Sequence, residues 1–386
     1  MIRAGAGVFY DLPGTRELVV AGARTPPFFN RLQPSNPPFP DLLAAARAAL
    51  PPNTVDMVDY YPLQPYVMQF QLSLERRLGR GTLAQLGYSG ARGVHLSGLV
   101  GNINPPRPER LPDGRLFFPA EALRLNPAFD QISTRRTQFN SFYHGLDASL
   151  ERRWAGGLRF QAKYTFAKSI DESSATIHVD FLASDRLPTM FDYRANRGPS
   201  DFDLRHVLAA NSSWQLPGPR GAAARRWLAG WELHGLLAAQ SGHPFGPSVG
   251  FDRANLRGAA TDLGQRPDFA AVPGARVVVG RPEQYFDPRF YLLPAPGVYG
   301  NLGRNTLTGP GLAKLDAALH KSWTLREHHS LRLRLEAFNL ANRPNFQIPS
   351  ELLLFNSQGA RVSSAGRITS TTTPARQFQA ALKWQF

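Results

Sequence analysis

The chain alternates apolar and polar residues over and over, and that period of two decides what it can fold into. From Tyr66 to Glu75, Tyr66, Met68, Phe70, Leu72 and Leu74 share one face, and Val67, Gln69, Gln71, Ser73 and Glu75 share the other. Leu158, Phe160, Ala162, Tyr164 and Phe166 stand against Arg159, Gln161, Lys163 and Thr165. Ala313, Leu315, Ala317 and Leu319 stand against Lys314, Asp316 and His320, and Leu331, Leu333 and Leu335 against Arg332, Arg334 and Glu336. Successive side chains of a strand point to opposite sides, so each stretch is a strand with one apolar and one polar face. With weaker stretches added, about ten strands are predicted, near 2–10, 66–77, 82–90, 142–153, 158–168, 204–216, 228–240, 312–323, 330–341 and 376–386.

The connections between them alternate in length. Those at 78–81, 154–157, 217–227 and 324–329 are short, whereas 11–65, 91–141, 169–203, 241–311 and 342–375 are long. Soluble domains seldom hold several loops beyond about 15 residues. Short turns on one side and long loops on the other describe an antiparallel transmembrane β-barrel, with periplasmic turns and extracellular loops. Such a barrel satisfies every backbone donor and acceptor without water. Its apolar faces meet lipid, and the Gln, Arg, Lys, Glu, Asp and Asn of the opposite faces are too polar for a sandwich core. Tyr66, Tyr88, Trp154, Trp214, Trp231, Trp323, Trp384 and Phe386 are expected at strand ends, as an interfacial girdle.

Composition closes off other classes. Cys is absent, so there is no disulfide framework, thiolate metal site or cysteine nucleophile. No apolar run is long enough for a transmembrane helix. At 42% hydrophobic and 11% aromatic, the chain is no disordered polymer. The net charge of +15 raises the question of nucleic acid. Nearly all the basic residues are Arg, however, scattered over strand ends and loops rather than gathered in a stripe, so no nucleic-acid partner is expected. Met1 to Tyr10 reads as a strand that begins at once rather than as a secretory leader.

The final strand carries a further signal. Phe378, Ala380, Leu382, Trp384 and Phe386 share one face, and Phe386 is the last residue. This segment resembles the C-terminal signal that outer-membrane barrels present to the barrel-assembly machinery. Gly-Val-Phe-Tyr-Asp at 7–11 and the stretches at 86–96, 141–150, 164–171, 197–206, 334–346 and 366–369 resemble, in order, segments of TonB-dependent transporters, particularly the Oar-like group. That resemblance implies a 22-strand barrel with an N-terminal plug and a TonB-contacting segment. Residues 1–386 are then expected to be the C-terminal portion of the barrel, lying in the cell outer membrane and meeting lipid and lipopolysaccharide. TonB would act only through the portion not included here. The substrate goes unnamed. The alternative is a self-contained ten-strand barrel acting as a pore or a surface hydrolase.

Candidate chemistry is sparse, and neither enzyme activity nor a cofactor is expected. Gly87-Tyr88-Ser89-Gly90-Ala91 falls short of a nucleophile elbow by its last glycine and its missing strand–turn–helix context. The His328–His329 pair has only Glu327 beside it, too little for a metal site. Asp201, Asp203 and His206 could form an acid/base set, although structural hydrogen bonding is the simpler role. Pro- and aromatic-rich segments at 26–29, 37–40 and 285–291 read as ligand-binding loops or as loosely ordered cover. Leu42 to Leu50 reads as a short helix, since Ala and Leu favour that state.

Overall fold

The computed structural model describes the whole chain except residues 13–18, 20–21, 24–39, 41–52, 80, 155, 175–189, 220–226, 259–263 and 327–328. Ten strands form its wall. They are β1 (Ile2–Tyr10), β2 (Tyr66–Arg77), β3 (Thr82–Val100), β4 (Phe129–Arg153), β5 (Leu158–Asp171), β6 (His206–Gln215), β7 (Trp231–Gln240), β8 (Leu312–Arg326), β9 (His329–Phe338) and β10 (Gln377–Gln385). Each is antiparallel to its predecessor in the chain, and the spatial order equals the sequence order. Two short strands join the same sheet: Asn53–Val58 runs parallel to the outer part of β4, and Gly198–Pro199 pairs with β5.

The register keeps the two faces separate from strand to strand. Ile2, Leu74, Leu86, Ala148, Tyr164, Leu208, Ala239 and Ala313 follow one another across eight strands as successive cross-strand partners. One residue along, Glu75, Gln85, Ser149 and Lys163 do the same on the other face. A slip of one residue in any pair would send a whole apolar set to the polar side, so the pattern fixes the register. Leu72 is 52% exposed and Leu382 65% exposed, and their neighbours on that face are similarly open. Only lipid makes a continuous apolar surface of that size tenable.

The short connections are tight. Leu78 donates its N–H to the Thr82 carbonyl, and Trp154 donates to that of Leu158. Gly81 and Gly157 close these turns at φ +79° and +80°. That region costs glycine nothing, and a Cβ at 81 would collide with the Arg153 carbonyl oxygen. All six tryptophans lie at this end of the wall: 154 and 227 in turns, and 214, 231, 323 and 384 at or near strand ends. Indole rings favour the interface between lipid and water, so this end of the wall carries an interfacial belt. Among the described residues no helix is long and apolar enough to cross a membrane, and the crossing belongs to the strands.

Two strands are longer than their alternation predicts. β3 continues to Val100 and β4 begins at Phe129, so the loop expected at 91–141 shrinks to 101–128. A register shift near His95, at φ 56°, marks where the hairpin bends. Beyond it, Leu99, Val100, Thr134 and Arg135 are buried on both faces and alternation ceases.

The wall itself is one layer and has almost no interior. Nearly all buried apolar residues sit in the long loops, which fold into a crown. Phe245, Val249, Phe286, Tyr291, Leu354 and Phe355 belong to its main cluster. A second holds Leu116, Phe118, Ala254, Leu256 and Tyr299, and a third is built on Val100 and Phe139. Short ladders brace the crown, among them Pro244–Phe245 with Leu307–Thr308 and Asp268–Phe269 with Tyr291–Leu292. The aromatic run at 285–291 is thus core: Phe286 and Tyr291 are fully buried. The aromatic segment at 26–29, most of that at 37–40, and the helix predicted at 42–50 lie outside the described residues.

Lipid contact on the apolar face predicts a strongly sided response to charge. Leu335→Arg, at the centre of β9, should destabilise the wall by about 2–4 kcal/mol, the cost of a guanidinium near the bilayer midplane. Gln379→Arg, on the opposite face of β10, should stay within about 0.5 kcal/mol. Urea midpoints of the outer-membrane protein refolded into lipid would read both, and equal effects would remove the sidedness.

Candidate functional site

Two surfaces can meet a solute: the polar inner face of the wall and the underside of the crown. The inner face is a lattice of ion pairs and hydrogen bonds. Arg3 of β1 meets Glu75 of β2 at 3.1 Å. Asp147 of β4 receives the Thr165 hydroxyl at 2.6 Å and lies 3.4 Å from Lys163 Nζ, both on β5. Gln215 of β6 donates to Glu232 of β7 at 3.2 Å. Lys314 and Asp316 of β8 pair at 2.8 Å, and Arg334 and Glu336 of β9 at 2.5 Å. These pairs are partly exposed, so each contributes little stability. Their effect is to hold a hydrated, mixed-charge surface along the lumen.

Where β1 to β4 come together, that surface is hollowed. Gly5, Gly7, Ser89 and Ala91 form the floor of a concavity of about 450 Å³, and Phe9, Gln69, Gln71 and Tyr143 rise around it. The small floor residues make the depression, and the two glutamines offer both donors and acceptors to whatever occupies it.

Above the wall, the crown is anchored by a buried polar hub. Arg304 is fully enclosed, with its side chain 1% exposed. Its Nη2 donates to Asp171 Oδ1 at 2.5 Å and to Ser174 Oγ at 2.6 Å, and lies 3.6 Å from Asp201 Oδ1. Nη1 reaches the Asn196 carbonyl at 3.3 Å. Asn305 donates to Asp201 Oδ1 at 2.6 Å. Pairing at both Nη atoms makes the buried guanidinium tenable, although Nε has no hydrogen-bond partner. Because Asp171 ends β5 and Arg304 lies in the loop before β8, the hub ties the crown to the wall. Further out, Asp287 caps the short turn at Pro288–Phe290 by accepting from the Arg289 amide at 2.9 Å. Side-chain hydrogen bonds from Arg289 hold its carboxyl below the usual range. The depressed folded value means that this capping contribution is present at neutral pH and is lost as pH falls through that value.

The residues singled out by sequence fall into place differently. Asp201 and Asp203 are buried and structural; Asp203 accepts from the Ser169 amide at 2.6 Å. His206 is not with them. It lies on the outward face, Nδ1 2.7 Å from the Tyr164 hydroxyl. His144 and Tyr88 repeat that arrangement at 2.7 Å one hairpin earlier. The three residues therefore do not converge into an acid/base set. Ser89 sits in the unbroken strand β3, without the turn of a nucleophile elbow. Phe378, Ala380, Leu382 and Trp384 face outward on β10 opposite Ala337, Leu335, Leu333 and Leu331, and Phe386 follows the strand with its ring 5.7 Å from Trp384. His328 is outside the described residues, and His329 packs on Trp384 at 6.0 Å. Sequence reading missed Arg304 altogether, because nothing local distinguishes it from the other arginines.

The outward apolar face, the polar lumen and the single-layer antiparallel meander coincide with a known family. The family model for an outer membrane beta barrel domain matches residues 1–379. The chain belongs to that family. Its place is the outer membrane. No curated protein matches the sequence. Among solved structures, the outer membrane transporter YddB from Escherichia coli aligns at a TM-score of 0.43 and 10% identity, covering 87% of this chain and 34% of that one. The FrpB iron transporter from Neisseria meningitidis (F3-3 variant) aligns at 0.40 and 10% identity, covering 93% and 36%. FpvA of P. aeruginosa, bound to heterologous pyoverdines, aligns at 0.34 and 11% identity, covering 84% and 27%. The chain spans about a third of the length of these transporters.

The hub makes a definite prediction. Arg304→Leu strands two buried carboxylates and should cost about 3–5 kcal/mol. The loss should fall on the crown, as new protease cleavage in loops 241–311 and 172–205 on intact cells, while the wall keeps its mobility shift on boiling. Unchanged cleavage would show that the hub does not hold the crown.

Proposed function

We propose that this chain is the C-terminal portion of the barrel of a TonB-dependent outer-membrane transporter. The observation that carries the reading is the polar lumen face, held in register across ten strands beneath a crown with its own hydrophobic core. A porin-like hole needs no crown built to this degree, whereas capture of a dilute solute does. The order of the segments that resemble the Oar-like transporters supports it as well. Among the described residues β1 and β10 each pair with one neighbour, which agrees with a wall completed by further strands. In this reading, solute binds beneath the crown and passes along the lumen wall, and TonB acts through a plug contributed by another part of the protein. The chain catalyses no reaction. The dispersal of Asp201, Asp203 and His206 weighs against a surface hydrolase.

The reading extends to partners. The outward face of β10, with Phe378, Ala380, Leu382, Trp384 and Phe386, is the segment offered to the barrel-assembly machinery. Lipopolysaccharide phosphates would meet the outer end of the wall. There the guanidiniums of Arg92 and Arg197 lie 3.7 and 4.7 Å from the centre of the Phe142 ring, with Lys168 exposed nearby.

The test uses the complete protein in its own cells. Spent medium of wild-type and deletion strains is compared by untargeted mass spectrometry, with and without a protonophore. At least one solute should be depleted only when the protein is present and the membrane is energised. Depletion insensitive to the protonophore, together with steady conductance of the purified protein in planar bilayers, would establish a passive pore instead.

A further inference from the structure

The lumen wall near the turn end of β7 and β8 carries a ligand set that the transport reading does not use. Glu232 and His234 are two residues apart on β7, so their side chains leave the same face. His320 of β8 lies directly across from Glu232 in the register, and diagonally from His234, which pairs with Ala318. Leu233 and Leu319 point the other way, toward lipid. One ligand atom from each of Glu232, His234 and His320 falls within 4.8 Å of the others. His234 Nε2 is 3.5 Å from Glu232 Oε2, and the two imidazole rings approach to 4.4 Å between centres.

The Nε2 atoms of His234 and His320 are both shielded from solvent, and neither has a hydrogen-bond partner. Arg334 of β9 lies opposite His320 and pairs with Glu336. On the other side, Gln215 of β6 holds the second oxygen of Glu232, and Ser213 faces His234. The carboxylate is therefore oriented from behind, as ligating groups commonly are. Two imidazoles and one carboxylate suit a borderline divalent ion rather than Ca²⁺ or Mg²⁺, which take oxygen shells. Ligand atoms about 2.0–2.1 Å from a tetrahedral ion stand roughly 3.4 Å apart. The Glu232–His234 spacing already matches, and a side-chain rotation of His320 closes the rest.

We propose that Glu232, His234 and His320 form a mononuclear site for Zn²⁺ or an ion of like preference, on the inner wall near the periplasmic turns, with a coordination position open to lumen water. The site would also clamp β7 to β8. It stands independently of the substrate and of TonB coupling.

The test takes the complete outer-membrane protein, purified in detergent without a polyhistidine tag and stripped with a chelator. Dialysis against Zn²⁺ alone should leave one ion per chain, and Co²⁺ should give the visible bands of a four- or five-coordinate site. His320→Ala and His234→Gln should each abolish the cobalt bands and weaken zinc binding by more than the 10–100-fold or so typical of supporting residues. Gln215→Leu should weaken it within about that range. His329→Ala, at the neighbouring turn, should change nothing. A mobility shift on boiling confirms that each variant is folded. Failure of the folded protein to retain zinc at micromolar free ion would overturn the proposal. So would binding that survives both His320→Ala and His234→Gln.

Discussion

The structure depends on the backbone hydrogen bond in a solvent that cannot replace it. Inside a bilayer, every N–H and C=O of the wall must find a protein partner. The simplest arrangement pairs each strand with its sequence neighbours, which is the order seen from β1 to β10. Lipid then covers one face and water the other, so the wall needs no core. The usual relation between burial and fold is inverted. Large apolar groups such as Leu72, Leu86 and Phe166 are exposed by design, and the buried ones gather outside the membrane.

That inversion explains the crown. Loops this long could not stay ordered on hydrogen bonds alone, because ordering each residue costs about 1–2 kcal/mol of backbone entropy. They fold by burying what the wall cannot. Phe245 and Phe286 meet Leu354 and Phe355 from a different loop. The crown must also be tied to a wall that offers it little apolar surface from within, chiefly Val100 and Phe139. Arg304 supplies this tie through Asp171 at the end of β5. A charged anchor suits the place: removing either partner leaves an unpaired buried charge, so it holds the loops in one arrangement more strictly than another apolar contact would.

How much of this was legible in the sequence follows from the same physics. Wall strands alternate because their two faces meet different solvents, and eight of the ten predicted strands lie within a few residues of the observed bounds at both ends. The outer ends of β3 and β4 were missed because both of their faces are protein-covered. Ser97 to Val100 and Thr134 to Arg135 have no reason to alternate. The two-residue ladders of the crown are too short to carry a period, and its clusters join residues a hundred positions apart. Even the Arg304 hub depends on loop paths that no local signal fixes. The ligand set was half visible: Glu232 and His234 share a face by spacing alone, but His320 joins them only once the register of β7 on β8 is known.

The two edges of the wall carry the argument one step further. Among the described residues β1 and β10 each have a strand partner on one side. In lipid, a row of free amides and carbonyls along a strand of nine residues is untenable. These edges are therefore paired in the membrane, with each other or with other strands. The two possibilities make different lumens. Ten strands closed on themselves leave a narrow interior, which the side chains of Arg3, Gln71, Arg332 and Lys383 would crowd. A wider ring opens a space beneath the crown and gives the hollow between Gly5, Ser89 and Tyr143 something to face. The long, well-packed crown fits the wider ring, because a narrow one would have little opening for such a crown to cover.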